Sequence, residues 1–273
     1  NMRHSLISVL FTVCPSFESM YICPVAPHLP VLLPPMLHAF EDRDQDLSRN
    51  AKACAELAAN TPLLAKNILP QVLESVYSAA KSQSWHVRAS VLPFLQIIIF
   101  RHQFVVESHD MARVQQLMVK LLCDSQIEVR ETAGEAISVL VRIAGESLSL
   151  QLLGQFSEWA AVRLPSKEAV KKGSMDDVSD TADTQIQTRH AGVLGLAALV
   201  QAYPYDVPTW MPAVLVQLAS HVVDPMPIRQ TVRKAFGEFW RTHQDAWPML
   251  KKKFTDEQLQ TLTNLLVSPT YFS

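Results

Sequence analysis

Nucleophiles, general bases and metal ligands are the residues that could do chemistry, and in this chain they do not gather. The nine histidines are scattered singly. His102 and His109 come nearest to sharing a face, and a helix end between them would part them. A closed metal site needs a full tetrahedral set of such donors. No Gly-x-Ser-x-Gly elbow, no glycine-rich loop ending in Lys-Ser or Lys-Thr, and no His-Glu-x-x-His occurs. Cys14, Cys23, Cys54 and Cys123 lack Cys-x-x-Cys spacing and read as small buried hydrophobes, the cysteine usage of a reducing compartment. The expectation is a chain with no catalytic residue, no metal site and no enzymatic activity.

Fewer polar features remain. Lys251, Lys252 and Lys253, and the pair Lys171 and Lys172, read as a solvated helix end and a polar loop; an import signal or an anion site is the other reading of the same residues. Ser174 stands before Met-Asp-Asp, where a phosphate could be added. Gly192-x-x-Gly195 reads as a close approach of two helices rather than a phosphate loop. A net charge of −2 argues against a dedicated nucleic-acid binder. The longest apolar runs, residues 6–13 and 91–100, fall well short of a membrane span.

The elements that must carry these residues announce themselves by repetition. In Asp124-Ser-Gln-Ile-Glu-Val-Arg130 and the residues after it, Ile127, Val129, Ala133, Ala136, Ile137 and Leu140 recur at helical spacing behind an aspartate suited to start a helix. Similar starts surround Arg49, Arg88, Arg189 and Arg229. From Arg49 through Arg88, Arg130 and Arg189 to Arg229 the intervals are 39, 42, 59 and 40 residues. A period near forty with a polar turn before a Val-Arg helix is the signature of HEAT-type helical hairpins. The expected fold class is therefore all-α, an α-solenoid.

Five hairpins are expected over residues 29–244: 29–40 with 47–59, 62–80 with 85–101, 111–122 with 127–144, 148–164 with 185–202, and 208–222 with 227–242. Residues 1–28 read as the remnant of an upstream repeat, since the Asn start suggests a piece of something longer. The long interval comes from residues 165–184, a polar insertion expected to be a mobile loop because it buries too little to offset its ordering entropy. Residues 245–267 read as capping helices, the last opened by the capping box Thr255-Asp-Glu-Gln258. Pro269 then stops the helix, leaving residues 268–273 as a projecting tail.

Several stretches go beyond repeat texture. Arg189-His-Ala-Gly-Val-Leu-Gly-Leu196, Tyr205-Asp-Val-Pro-Thr-Trp-Met-Pro212, Arg241-Thr-His-Gln-Asp245, Phe254-Thr-Asp-Glu-Gln-Leu259 and Leu265-Leu-Val-Ser-Pro269 lie in order. Together they resemble the C-terminal end of the proteasome activator complex subunit 4 family, the large single-chain HEAT-repeat activators. The resemblance is dense over residues 185–273 and holds at the level of pattern over 30–165. It implies a dome-shaped solenoid on the α-subunit ring of the 20S core particle, promoting ATP-independent degradation of peptides and unstructured or acetylated proteins.

In that family a terminal hydrophobic-Tyr-any tripeptide enters a crevice between α subunits and helps to open the gate. The matching positions here are Tyr271, Phe272 and Ser273, so phenylalanine stands where the family has tyrosine. The resemblance also implies nuclear and cytoplasmic location and acetylated histones as a partner in DNA repair and spermatogenesis, while the net charge and the short apolar runs already lead us to expect no direct nucleic-acid partner and no membrane. Acetyl-lysine readers of that kind use an asparagine amide, and no asparagine lies between Asn67 and Asn264. Inositol phosphates are the ligands the family implies, with no residues here to which they can be assigned. A HEAT scaffold that binds partner helices or acetylated histones without a proteasome role is the alternative reading.

Overall fold

A proline inside a helix has no N–H to give the carbonyl four residues back, and the first α-helix among the described residues carries two such prolines. The computed structural model describes residues 26–63, 67–164 and 175–266. Among the described residues the α-helices are α1 (Leu29–His38), α2 (Gln45–Ala59), α3 (Ile68–Ala79), α4 (Trp85–His102), α5 (Ser108–Leu122), α6 (Ile127–Ala144), α7 (Glu146–Ala160), α8 (Met175–Gln201), α9 (Met211–Ala219), α10 (Ile228–His243), α11 (Trp247–Leu250) and α12 (Asp256–Leu266). Short 3₁₀ turns cover Ala26–His28, Ala39–Glu41 and Lys251–Lys253, and no strand occurs among the described residues. The fold is all-α, of the α-solenoid class built from HEAT-type hairpins. The chain divides into two compact units, residues 1–121 with 126–136 and residues 122–125 with 137–273.

In the first unit consecutive helices pair as hairpins, and alternate helices lie side by side. Helix α1 packs on α2 and on α3, while α4 packs on α2 and on α3. Leu29, Leu33, Met36 and Leu37 of α1 are fully buried, as are Val72, Leu73 and Val76 of α3. Ala51, Cys54 and Ala58 form the buried stripe of α2, against Val91, Leu92 and Leu95 of α4. The run Ile97-Ile-Ile-Phe100, β-prone by composition, ends α4 as a helix because tertiary burial of Ile98 and Ile99 outweighs local preference.

Polar detail explains why these helices begin and survive where they do. Asp44 caps α2, accepting hydrogen bonds from the Asp46 and Leu47 amides at 3.0 and 3.3 Å. Helix α1 runs unbroken through Pro34 and Pro35. The carbonyl that Pro34 orphans belongs to Pro30, and the Ser75 hydroxyl of α3 donates to it at 2.7 Å. The carbonyl opposite Pro35 belongs to Val31, a residue 76% exposed and so open to water. The repeat arginine of α4, Arg88, donates to the Ser82 and Gln83 carbonyls at 2.9 Å each, fastening the turn between α3 and α4.

The second unit repeats the two-layer arrangement with α7 on α9 and α8 on α10. Ser157 and Gln217 exchange two hydrogen bonds between α7 and α9, at 3.0 and 3.2 Å. The buried His190 ring meets the Thr231 hydroxyl at 2.9 Å between α8 and α10. The hairpin of α7 and α8 closes at Gly192 and Gly195. A Cβ on Gly192 would lie 2.6 Å from the Trp159 carbonyl carbon and 2.7 Å from the Phe156 oxygen, and one on Gly195 would lie 2.5 Å from the Phe156 ring. Backbone therefore touches backbone at Gly192 and a ring fills the space at Gly195, which is the close helix packing expected of this glycine pair.

Two expectations need correction. The insertion is not a loop throughout: α8 begins at Met175, ten residues before the expected helix start, and residues 165–174 lie outside the described residues. Composition misled because a polar stretch with no proline or glycine between Met175 and Ala191 can extend a buried helix as readily as it can form a loop. Cys123 is half-buried rather than buried, whereas Cys54 is fully buried, and neither is in a disulfide. The expected stripe of α6 is buried from Val129 to Leu140, with Ile127 half-buried at the helix start.

Glycine substitutions separate close approach from mere helix propensity. Gly192→Ala is expected to destabilise the chain by about 1–3 kcal/mol or more through overpacking against α7 backbone. Gly237→Ala, where a Cβ meets nothing within 4 Å, is expected to stabilise it by about 0.5–1 kcal/mol. Urea unfolding followed by circular dichroism measures both; equal shifts would refute the close-packed hairpin.

Candidate functional site

Tyr271, Phe272 and Ser273 lie outside the described residues. The structure does describe the platform that leads into residues 267–273, built from α9, α10, α11 and α12. Helix α12 opens with a reciprocal capping box: the Thr255 amide donates to Gln258 Oε1 at 2.9 Å, and the Gln258 amide donates to Thr255 Oγ1 at 3.3 Å. Leu262 is fully buried, while Gln260, Thr261 and Thr263 face solvent. Helix α12 thus packs by one side on α9 and α10 and leaves its other side polar.

Aromatic rings tie α10 to α11 and to the start of α12. Trp247 stands edge-on to Phe239 at 6.2 Å and to Trp240 at 5.7 Å, and tilts over Phe254 at 5.4 Å. The His243 ring stacks on Phe239 at 4.2 Å. Edge-to-face pairs at such separations contribute about 0.5–1.5 kcal/mol each beyond the area they bury. The chain between α10 and α12 is consequently pinned by large rings rather than by length of helix.

Lys253 corrects the reading of the basic cluster. Its ammonium donates to Asp206 Oδ1 at 2.6 Å and to the Val207 carbonyl at 2.9 Å, so this lysine fastens the loop before α9. The Lys253 bond, followed by the Val207 amide, holds the Asp206 carboxyl below its ordinary value. Lys251 and Lys252 remain exposed. The basic run therefore offers two solvated charges and one structural one.

A charged trio of buried His221 and Asp224 with part-buried Arg189 joins α8 to the turn before α10, and the sequence did not reveal it. Arg189 Nε lies 2.9 Å from Asp224 Oδ2, and His221 Nδ1 lies 2.9 Å from the same oxygen. His221 Nδ1 also lies 3.2 Å from Arg189 Nε and 3.1 Å from Arg189 Nη2, so guanidinium, imidazole and carboxylate meet at one point, and the tautomer of His221 decides whether Nδ1 donates to Asp224 or accepts from Arg189. Arg189 also reaches the Val162 carbonyl at 3.4 Å. Arg189 and Asp224 were visible as a repeat arginine and a helix-start aspartate; their meeting, and His221 between them, needed the fold. By contrast Arg49 and Arg229, equivalent in the pattern, are exposed.

The histidines are structural where they are buried. His102 Nδ1 donates to the Ile98 carbonyl and Nε2 accepts the Leu63 amide, both at 3.0 Å. His109 lies on α5, exposed beside Glu107 and Asp110. Among the described residues no cluster of three or more His, Cys, Asp or Glu is placed to hold a metal ion. No helix among them is long and apolar enough to cross a membrane.

These features define a repeat protein of stacked helical hairpins whose last hairpin carries a ring-pinned terminal helix. Residues 186–273 match the family described as proteasome activator complex subunit 4-like, C-terminal. Proteasome activator complex subunit 4 of Homo sapiens is 40% identical over 230 residues, 84% of this chain and 12% of its own length. Proteasome activator complex subunit 4A of Danio rerio is 39% identical over 235 residues, 85% of this chain and 13% of its own. Proteasome activator BLM10 of Saccharomyces cerevisiae is 24% identical over 205 residues, 74% and 9%. A designed armadillo repeat protein aligns at a TM-score of 0.37 and 16% identity, covering 88% of this chain and 94% of its own, too slight a likeness to carry an assignment. The chain belongs to the proteasome activator complex subunit 4 family. It spans about an eighth of the length of the human and zebrafish relatives it matches.

Burial lowers the pKa of both His102 and His221 from 6.5, against the raising effects of the Ile98 carbonyl and of Asp224. The folded chain then binds these protons more weakly than the unfolded chain, so acid favours unfolding. The urea midpoint is expected to fall as pH drops from about 6.5 through the folded midpoints and then to level off. Ring-proton titration by NMR should place both midpoints below 6.5; values above it would show that burial does not outweigh the Ile98 and Asp224 hydrogen bonds.

Proposed function

We propose that this chain is the C-terminal part of a proteasome activator and docks on the end ring of the 20S core particle through Tyr271, Phe272 and Ser273. In this reading the chain is regulatory rather than catalytic. It promotes gate opening and the ATP-independent degradation of peptides and of unstructured or acetylated proteins. The observation that supports it is the family match over residues 186–273, which takes in both the ring-pinned platform and the tail. A platform of this kind suits docking physics: a short peptide gains affinity when the body that bears it is already ordered.

Phe272 in place of the family's tyrosine bears on the strength of docking. Burying an aromatic ring contributes roughly 1.5–3 kcal/mol, which phenylalanine retains. A lost hydroxyl hydrogen bond costs about 0.5–1.5 kcal/mol. Docking therefore persists with weaker gate opening. Acetylated histones, inositol phosphates and residence in nucleus and cytoplasm belong to the same reading, with no residue of this chain assigned to them.

Deleting residues 271–273 from the full-length protein is expected to abolish cosedimentation with 20S particles and stimulated peptide hydrolysis together. Phe272→Tyr is expected to tighten docking about two- to tenfold and to raise hydrolysis. Hydrolysis unchanged by the deletion would refute the docking tail.

A further inference from the structure

We propose that the outer face of α10 is a docking strip for an acidic, extended protein segment, separate from the tail. Helix α10 buries Ile228, Thr231, Val232, Ala235, Phe236, Phe239 and His243 along one side. The opposite side presents Arg229, Arg233, Gly237 and Arg241 in one row of four-residue steps, all exposed. Neither Arg229 nor Arg233 has an ion-pair partner among the described residues. Glu238 pairs with Arg241 and is the sole acid on the helix, and no acidic residue stands in its first turn. A chain whose net charge is −2 thus concentrates positive charge on a single helix face.

Shape adds to charge. A Cβ on Gly237 would meet nothing within 4 Å, so the row has a gap between Arg233 and Arg241 where a chain can lie against bare helix. Before the helix, Val223 is 82% exposed and Met226 53% exposed, giving the strip an apolar end. At about 1.5 Å rise per residue, Arg229 and Arg233 stand about 6 Å apart along the axis and Arg241 about 12 Å further. Alternate side chains of an extended segment repeat at about 6.6 Å. Carboxylates at every second position of such a segment match the row, with an apolar side chain before them meeting Val223 and Met226. A single-file row interrupted by a glycine and flanked by Glu238 fits a short acidic peptide better than the continuous charge of a nucleic acid, whose binding needs many cations at once.

The test uses the full chain and a fluorescein-labelled peptide of two leucines followed by alternating Glu and Ser. Its Gln-for-Glu counterpart and labelled oligo(dT) serve as the other probes, all read by fluorescence anisotropy. Binding of the Glu peptide is expected to weaken as salt rises and to fall at least about tenfold in Arg229→Glu/Arg233→Glu. Arg229→Gln/Arg233→Gln should fall between, and Arg101→Glu, an exposed arginine of the other unit, should bind as the parent does. Equal binding of the Gln peptide, indifference to the charge reversal, or tighter binding of oligo(dT) would overturn the proposal. Because the tail is untouched in every variant, 20S cosedimentation should stay unchanged, which keeps this result separable from the docking role of residues 271–273.

Discussion

The second unit depends on one contact in which no side chain intervenes, the approach of α8 to the α7 main chain at Gly192, with Gly195 one turn on leaving room for the Phe156 ring. Helices held apart by leucines can slide by fractions of an ångström as rotamers change. Backbone against backbone has no such latitude, because interiors pack at crystal density and a single added carbon must displace main chain. The depth at which α8 sits then fixes its neighbours. It delivers His190 to Thr231 and Arg189 to Asp224, and so sets where α10 begins and where the terminal platform hangs.

Polar groups in this fold mark the places where a repeating pattern meets an exception. Pro34 removes a helix donor, and Ser75 on the neighbouring helix takes up the abandoned carbonyl. The turns between hairpin helices leave carbonyls unpaired, and Arg88 and Arg189 reach back to them. Partial burial of Arg189 beside Val162 calls for a counter-charge, which Asp224 supplies, and the buried His221 ring contacts both. An ion pair of this kind adds little net stability, since desolvation offsets attraction, but losing either partner would strand a buried charge.

The terminal platform achieves order by different means. Helices α11 and α12 are short, and short helices are marginal alone. Trp247, with Phe239, Trp240 and Phe254 around it, supplies the area that those helices cannot, while Lys253 binds the loop before α9. In a family whose curated members are many times longer than this chain, the matched residues include the whole platform and the tail beyond it.

Much of this was legible in the residues themselves. The forty-residue interval, the apolar stripe of α6, the capping box at Thr255 and the close-packing glycines are local patterns, and local patterns follow from helix geometry whatever the surroundings. The start of α8 was not legible, because polar residues without proline or glycine suit a helix and a loop alike. Nor was the difference between Arg189, part-buried in a charged trio, and Arg229, exposed on α10, though both hold the same place in the repeat. That difference comes from which neighbour each helix face meets across 35 residues of chain, a distance over which spacing carries no information. Sequence determined the helices and their apolar seams; tertiary structure decided which charges were buried, since desolvation depends on the neighbours that packing brings.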